Sequence, residues 1–170
     1  MPQLRYATLQ DAAAISEIAT STFYNTYAAY NTPEDIALYI KQHFSIAHIQ
    51  TELAAKNTDI LLAVEYDEIV GYTKVVWGSR PGNTTNMKAL EIARLYAATN
   101  YIGKGIGKLL MQYCLTYAKE GGAQSIWLGV WQRNTRAIRF YEKCGFQLAG
   151  IYTFLLGNDE QQDYIMERVL

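Results

Sequence analysis

A glycine-rich segment at the start of a predicted helix is well suited to bind phosphate. Residues 103–108 read Gly-Lys-Gly-Ile-Gly-Lys and lie between a strand-like run, 90–97, and an amphipathic helical pattern that continues to residue 118. The first N–H groups of a helix have no intrahelical partner and lie at the positive end of its dipole, so a polyphosphate can bind the main chain there. Lys104 and Lys108 add positive charge, although either could simply be solvated.

The segment fits neither of two common nucleotide motifs. A P-loop has Ser or Thr after its Gly-Lys pair and a glycine five residues before the second glycine, but this chain has Leu109 and Ile102 there. A dinucleotide-binding fingerprint has its third glycine three residues after its second, whereas Gly107 follows Gly105 by two. What remains is a glycine turn that leads into a helix.

A second segment, residues 134–146, has the pattern of a short capped helix. Asn134 is a typical N-cap residue, and Gly145 is a typical helix stop. Between them, apolar residues recur at helical spacing, at Ala137, Ile138, Tyr141 and Cys144. The pattern predicts that Tyr141 lies on the packed face of this helix.

Together the two segments resemble the GNAT superfamily of N-acetyltransferases. The acyl-CoA motif of that superfamily is Gln or Arg, two residues, Gly, one residue, then Gly or Ala, after a bulged strand; an Asn and a helical Tyr follow later. Here Gly105, Gly107, Asn134 and the run Phe-Tyr-Glu-Lys-Cys-Gly-Phe at 140–146 match. Ile102 departs from the motif and removes a polar side chain near the pyrophosphate.

Three more segments, 22–27, 126–134 and 157–167, are similar to the PaiA-type bacterial spermidine/spermine acetyltransferases, so the likeness covers nearly the whole chain. The resemblance implies one α/β domain over residues 1–170, with a mixed, mostly antiparallel, splayed β-sheet flanked by helices. It implies acetyl-CoA as co-substrate and a primary amine as acceptor, expected to be spermidine or spermine. The open alternatives are a protein N-terminus, a lysine or an aminoglycoside as acceptor, or a CoA-binding regulator without turnover.

The resemblance also implies which residues hold the donor. Backbone groups of the bulged strand would bind the pantetheine arm like an added strand and would donate to the thioester carbonyl. The expected donor-binding residues are Leu95, Tyr96, Ala97, Gly103, Lys104, Gly105, Ile106, Gly107, Lys108, Asn134 and Lys143.

Acetyl transfer from a thioester needs proton transfer rather than a protein nucleophile. An alkylammonium has a pKa near 10.4, so a base must accept its proton. Glu91 is the expected base, directly or through water, although it could instead pair with Arg94. The PaiA-like pattern has a second Glu where this chain has Ala93. Tyr141 is the expected proton donor to the departing thiolate, and its alternative is a core aromatic residue.

Aromatic residues and carboxylates indicate how the acceptor could bind. Tyr24, Tyr27, Trp77 and Trp131 are the expected acceptor contacts, because aromatic faces bind cations. Nearby acids that could pair with a polycation are Glu34, Asp35, Asp159, Glu160 and Asp163. Most of these aromatic residues could equally belong to the core.

The hydrophobic periodicity predicts the elements that position these residues. Strands are expected over 4–7, 60–64, 69–77, 90–97, 125–131, 146–152 and 163–169, and helices begin near residues 8, 32, 46, 106 and 134. A four-residue polar connection at 65–68 predicts a hairpin, and residues 78–86 are expected to form a loop.

Composition excludes several classes of protein. The chain has 170 residues, half of them apolar, and a net charge of −1, which disfavours nucleic acid as a partner. No apolar run is long enough to span a membrane or act as a leader, so we expect a cytoplasmic protein. His43, His48, Cys114 and Cys144 are too isolated for a metal site, and both cysteines fit core positions. Homodimerisation is compatible with the sequence.

Overall fold

The computed structural model describes residues 1–80 and 84–170, with the backbone alone over 84–87. The strands are β1 (Gln3–Tyr6), β2 (Thr58–Glu65), β3 (Glu68–Arg80), β4 (Thr84–Ala97), β5 (Ser125–Trp131), β6 (Gln147–Leu156) and β7 (Asp159–Val169). The helices are α1 (Ala12–Tyr27), α2 (Pro33–His43), α3 (Ile46–Ala54), α4 (Ile106–Glu120) and α5 (Thr135–Lys143). Among the described residues, no helix combines the length and the apolar character needed to cross a membrane.

The strands form one sheet in the order β1-β2-β3-β4-β5-β7-β6. Every neighbouring pair is antiparallel except β4 and β5, which are parallel. The parallel contact is short, because only residues 89–91 of β4 pair with residues 125–127 of β5. The structure confirms the predicted α/β domain with a mixed, mostly antiparallel and splayed sheet.

Helices cover both faces of this sheet. On one face, α1, α2 and α3 bury Ile15, Ile36 and Ile49 against β2 and β3. On the other face, α4 and α5 pack over the central strands, and Cys114 of α4 is fully buried there. Both free cysteines belong to this second core, as their helical spacing predicted.

Local capping defines several helix starts as expected. The Thr32 side chain accepts the N–H of Asp35 at 3.2 Å at the start of α2. Asn134 accepts the N–H of Ala137 at 3.2 Å at the start of α5. Such caps satisfy N–H groups that the first helical turn cannot pair.

The connection between β3 and β4 differs from the prediction of a loop over 78–86. Strand β3 extends to Arg80 and β4 begins at Thr84, with Ser79 opposite Thr85. Gly78 has φ of 76° at a point where the strand register shifts, so it marks a bulge within the strand. Residues 81–83 of the expected loop lie outside the described residues. Gly78 therefore lies at a bulge inside β3 and not at the end of the strand.

Strands β6 and β7 are also longer than predicted. They pair from Gln147 opposite Glu167 to Leu156 opposite Asp159, so the polar residues 159–162 belong to β7. Gly157, with φ of 63°, lies in the tight turn that joins the two strands. Pairing with β6 extends the strand beyond the apolar run that predicted it, because main-chain hydrogen bonds do not require apolar side chains.

Candidate functional site

The two halves of the sheet diverge where β4 and β5 stop pairing. The last parallel pair is Glu91 with Trp127, yet β4 continues to Ala97 and β5 continues to Trp131. The edge of β4 that faces β5 is therefore not paired with β5 beyond Glu91. Main-chain N–H and C=O groups on such an edge can bind an extended ligand as an additional strand would.

A bulge in β4 follows the last of these pairs. Val75 of β3 lies opposite Ile92, but the next residue back, Lys74, lies opposite Arg94, so Ala93 is the extra residue. The bulged strand that the resemblance implied is therefore present, two residues before Leu95. A bulge of this kind bends the strand and redirects the side chains that follow it.

A cavity of about 490 Å³ occupies this divergence. It extends from the glycine-rich segment, past α5, to the carboxyl-terminal end of α1. Its lining residues are Thr22, Phe23, Thr26, Tyr27, Ile92, Ala93, Arg94, Leu95, Tyr96, Ala97, Tyr101, Ile102, Gly103, Gly105, Gly107, Lys108, Gly129, Val130, Trp131, Asn134, Arg136, Ala137, Phe140 and Tyr141.

The glycine-rich segment forms one end of the cavity with an open main chain. Gly103 and Gly105 have φ of 81° and 89°, a conformation that favours glycine, and a Cβ on either would meet no atom within 4 Å. The N–H of Leu109 makes the first intrahelical bond, to Gly105 at 3.0 Å, so the N–H groups of residues 106–108 precede it. Open space over two glycines and main-chain donors at a helix start are the features that suit an anion.

Gly71 of β3 is a residue of this end that no sequence motif indicated. A Cβ there would lie 2.6 Å from the side chain of Ile106 and 2.7 Å from the Tyr96 carbonyl oxygen. The missing side chain thus allows the first residue of α4 to pack closely on the sheet. Ile106 itself is buried, and only its main chain is suited to contact a ligand.

The lysines of the glycine-rich end have different positions. Lys108 lines the cavity, whereas the Lys104 ammonium lies over the Tyr101 ring, 4.9 Å from its centroid. Lys143 is exposed near the end of α5 and does not line the cavity. Of the expected lysine contacts, only Lys108 therefore reaches the cavity wall in this structure.

Tyr141 and Asn134 form the α5 wall of the cavity. Burial raises the pKa of the Tyr141 phenol well above its usual value, and the neighbouring Tyr96 adds to this shift. The phenol is therefore protonated at neutral pH and able to donate. The Asn134 amide oxygen is used by the helix cap, so its NH₂ group is the part suited to donate to a ligand.

Glu91 lies in the paired part of β4, half-buried, and is not among the residues that line the cavity. Arg94, the alternative ion-pair partner that the sequence suggests for Glu91, instead donates to the buried Glu52 at 2.9 Å. Lys74 also donates to Glu52. A base role for Glu91 therefore requires water between its carboxylate and the cavity.

The expected acceptor contacts separate into two groups. Tyr27 and Trp131 line the cavity with ring centroids 4.5 Å apart. Tyr24 is 56% exposed on α1 and does not line it. Trp77 packs near the opposite end of α4, where its indole N–H donates to the Tyr117 hydroxyl at 3.0 Å, so the structure places it away from the cavity.

The chain belongs to the acetyltransferase (GNAT) family, whose profile matches residues 13–146. An uncharacterized N-acetyltransferase of Mycobacterium tuberculosis is 35% identical over 162 residues, covering 95% of this chain and 99% of that protein. The chain is thus an acyltransferase of the acetyl-CoA-dependent N-acetyltransferase class.

Two further comparisons cover the chain over almost its full length. The spermidine N(1)-acetyltransferase of Thermoplasma acidophilum is 25% identical over 170 residues, covering 98% of this chain and 96% of that one. A crystal structure of the PaiA N-acetyltransferase of Thermoplasma acidophilum in complex with coenzyme A superposes with a TM-score of 0.83 and 22% identity, covering 100% of this chain and 99% of that one. The structural likeness confirms the fold.

Proposed function

We propose that this N-acetyltransferase transfers acetyl from acetyl-CoA to a primary amine of a polyamine such as spermidine or spermine. The observation that carries the proposal is that Gly105, Tyr141 and the Tyr27–Trp131 ring pair all line the same cavity. A phosphate cradle, a proton donor and an aromatic cation site are the three features that this reaction requires.

The glycine-rich end would hold the diphosphate of the donor. The space over Gly103 and Gly105 and the N–H groups of residues 106–108 support this role, and Lys108 adds a positive side chain. Ile102 offers no polar contact, so the main chain would supply most of the recognition. Lys104 and Lys143 would contribute only through long-range attraction or side-chain movement.

The unpaired edge of β4 would hold the pantetheine arm. Leu95, Tyr96 and Ala97 lie beyond the last β4–β5 pair and line the cavity, and the Asn134 amide lies in the facing wall. Such an arrangement would direct the thioester toward Tyr141. A main-chain N–H next to the bulge would then donate to the thioester carbonyl.

Proton transfer would involve two groups of this chain. Tyr141, kept protonated by its burial, would donate to the departing CoA thiolate. Glu91 would accept the proton of the ammonium through water, because its side chain does not line the cavity. The thioester is already activated, so no covalent intermediate on the protein is needed.

The acceptor assignment draws on chemistry and on relatives. Tyr27 and Trp131 present a pair of aromatic rings at the end of the cavity opposite the glycines. The full-length similarity to a spermidine N(1)-acetyltransferase supports an aliphatic polyamine over the alternative acceptors.

The test is an acceptor panel with product identification. Purified protein and acetyl-CoA would be incubated with polyamines, short diamines, aminoglycosides, and peptides with free N-termini or lysines; release of CoA thiol and product masses would be measured. We expect acetylated spermidine or spermine as the main product. Acetylation of peptides or aminoglycosides alone would refute the acceptor class, and no transfer to any amine would favour a CoA-binding regulator.

A further inference from the structure

Asp163 is a buried carboxylate near the acceptor end of the cavity. It is 8% exposed and lies on β7, opposite Trp131 of β5 and Tyr152 of β6. Trp131 in turn packs on Tyr27 of α1, and both of these rings line the cavity. Asp163 therefore lies directly behind the aromatic wall of the acceptor end.

The hydrogen bonding of this carboxylate is incomplete. Oδ2 accepts the Tyr152 hydroxyl at 3.1 Å. Oδ1 is fully buried and has no hydrogen-bond partner among the residues that the structure describes. None of the ion pairs found within residues 1–80 and 88–170 includes Asp163. A carboxylate buried in this way is costly unless a cation or further donors reach it.

The surroundings of Asp163 fit an alkylammonium group. The Tyr152 hydroxyl lies directly over Gly129, where a Cβ would overlap it, and Gly129 lines the cavity. The Tyr27 and Trp131 rings lie on the same side, and aromatic faces next to a carboxylate form a common binding site for organic cations. The absence of a side chain at Gly129 makes room for the Tyr152 hydroxyl, so the Tyr152–Asp163 pair lies next to a residue of the cavity wall.

We infer that Asp163, supported by Tyr152 and flanked by Tyr27 and Trp131, binds an ammonium group of the acceptor. The inference rests on the proposed function and deepens it by naming the residue that recognises the charge of the amine. Neither Asp163 nor Tyr152 lines the cavity, so the Trp131 or Tyr152 side chain would have to move for an ammonium group to reach Oδ1. The acceptor class that this site selects is a cationic primary amine rather than a neutral nucleophile.

The decisive experiment measures amine binding without turnover. Spermidine would be titrated calorimetrically into the protein saturated with CoA, which carries no acetyl group, for wild type, Asp163→Asn and Glu160→Gln. Glu160, one of the acids that the sequence suggested for the polycation, is exposed on the same strand and does not line the cavity, so its variant removes the same charge away from the site. We expect Asp163→Asn to weaken spermidine binding by roughly 10- to 100-fold, because a charge-assisted contact is lost. Glu160→Gln should change it less than about two-fold.

Each outcome decides the inference. Equal spermidine affinity for wild type and Asp163→Asn, or no spermidine binding by the wild type, overturns it. If the wild type acetylates amines while Asp163→Asn binds them normally, the inference alone fails. If spermidine binding depends on Asp163 but no amine is acetylated, the proposed function alone fails. Unchanged CoA affinity in Asp163→Asn distinguishes loss of this site from misfolding.

A second measurement on the wild type covers the case in which Asp163→Asn does not fold. Spermidine stays protonated between pH 5 and 8, so a decrease in its affinity below pH 6 reports protonation of a group of the protein. The measurement is repeated with His43→Gln, because His43 packs on Tyr39 and its protonation could also weaken binding of a cation. The titratable groups around Asp163 are Tyr27 of α1, Tyr39 of α2, Tyr96 of β4 and Tyr152 of β6, with Glu91 near Tyr152. Glu91→Gln should leave the pH dependence in place, and its disappearance there would assign the effect to Glu91 and overturn the inference.

Discussion

At the scale of single residues, burial has different consequences for Tyr141 and Asp163. Removal from water disfavours the charged form of each group, so the pKa of the Tyr141 phenol and the pKa of the Asp163 carboxyl are both raised. For Tyr141 this keeps a proton available for donation. For Asp163 it leaves a carboxylate that is expensive to ionise without a cation, which is a useful property for a site that must recognise ammonium.

Replacing Tyr141 by Phe tests proton donation. The change removes one hydroxyl and keeps the ring that packs in the wall, so we expect kcat to fall roughly 10- to 1,000-fold, the usual range for a general acid. The CoA dissociation constant should stay within a few-fold, as measured by calorimetry. Tyr113→Phe is the matched control, because it removes a hydroxyl that hydrogen-bonds to the Tyr6 hydroxyl and Tyr113 does not line the cavity. An unchanged kcat would remove Tyr141 from the chemistry.

Asp163 should also make stability depend on pH. Burial raises its pKa from 3.8 to about 6. The neutral, protonated carboxyl therefore gives its full contribution to the stability of the fold below pH 4, and this contribution is lost as pH rises through 6. Above pH 6 the ionised form should cost on the order of 2–3 kcal/mol in the absence of amine. Asp163→Asn should therefore be more stable than wild type at pH 7.5 and equal to it near pH 4, as determined by urea unfolding. Lower stability of the variant at pH 7.5 would indicate a structural role instead.

At the scale of elements, the packing at the start of α4 determines the shape of the glycine-rich end of the cavity. Its N-cap is Gly105 in the left-handed conformation, and Gly71 allows the helix to approach the sheet. Both features orient the first N–H groups of α4 toward the cavity. The same helix ends at residues 121–122, where Gly122 has φ of 78° and faces open space.

Gly105→Val should abolish donor binding, and Gly122→Val is its matched control. Both glycines have positive φ, and a Cβ added to either would meet no atom within 4 Å, so both substitutions should cost roughly 1–3 kcal/mol of stability through backbone strain alone. Only Gly105→Val places a side chain at the glycine-rich end of the cavity, which we propose holds the diphosphate, so CoA affinity should fall at least about 100-fold there and remain normal in Gly122→Val. Equal CoA affinity in the two variants would contradict the assignment of this loop.

Local signals in the sequence indicate part of the geometry of the candidate site, whereas long-range strand pairing determines the remainder. The glycine turn and the Asn134 cap depend on the conformations of a few neighbouring residues, which a sequence pattern can indicate. The position of Trp77 depends on how β3 packs under α4, and that of Glu91 on where β4 and β5 stop pairing. Gly71 could be found only from its contact with Ile106, a residue 35 positions away in sequence. Such contacts leave no local signature.

At the scale of the whole molecule, the cavity lies where the pairing between neighbouring strands β4 and β5 is short. Strands β1 to β4 form one antiparallel group and β5 to β7 form another. Among the residues that the structure describes, strand pairing between the two groups is limited to three parallel residue pairs. A ligand that contacts β4 on one side and β5 or α5 on the other would bridge the two groups. Donor binding should therefore stabilise the entire fold and not only the glycine loop.

Hydrogen exchange with and without CoA tests this bridging role. Ligand at 100 times its dissociation constant should add about 2.7 kcal/mol to the free energy of unfolding. Protection should increase at residues 95–97, 106–108 and also 129–131, because the β5 end loses its freedom to separate from β4. Gly105→Val at the same CoA concentration should give no such change. Protection confined to residues 103–108 would mean that CoA is held by its phosphates alone and leaves the two strand groups independent.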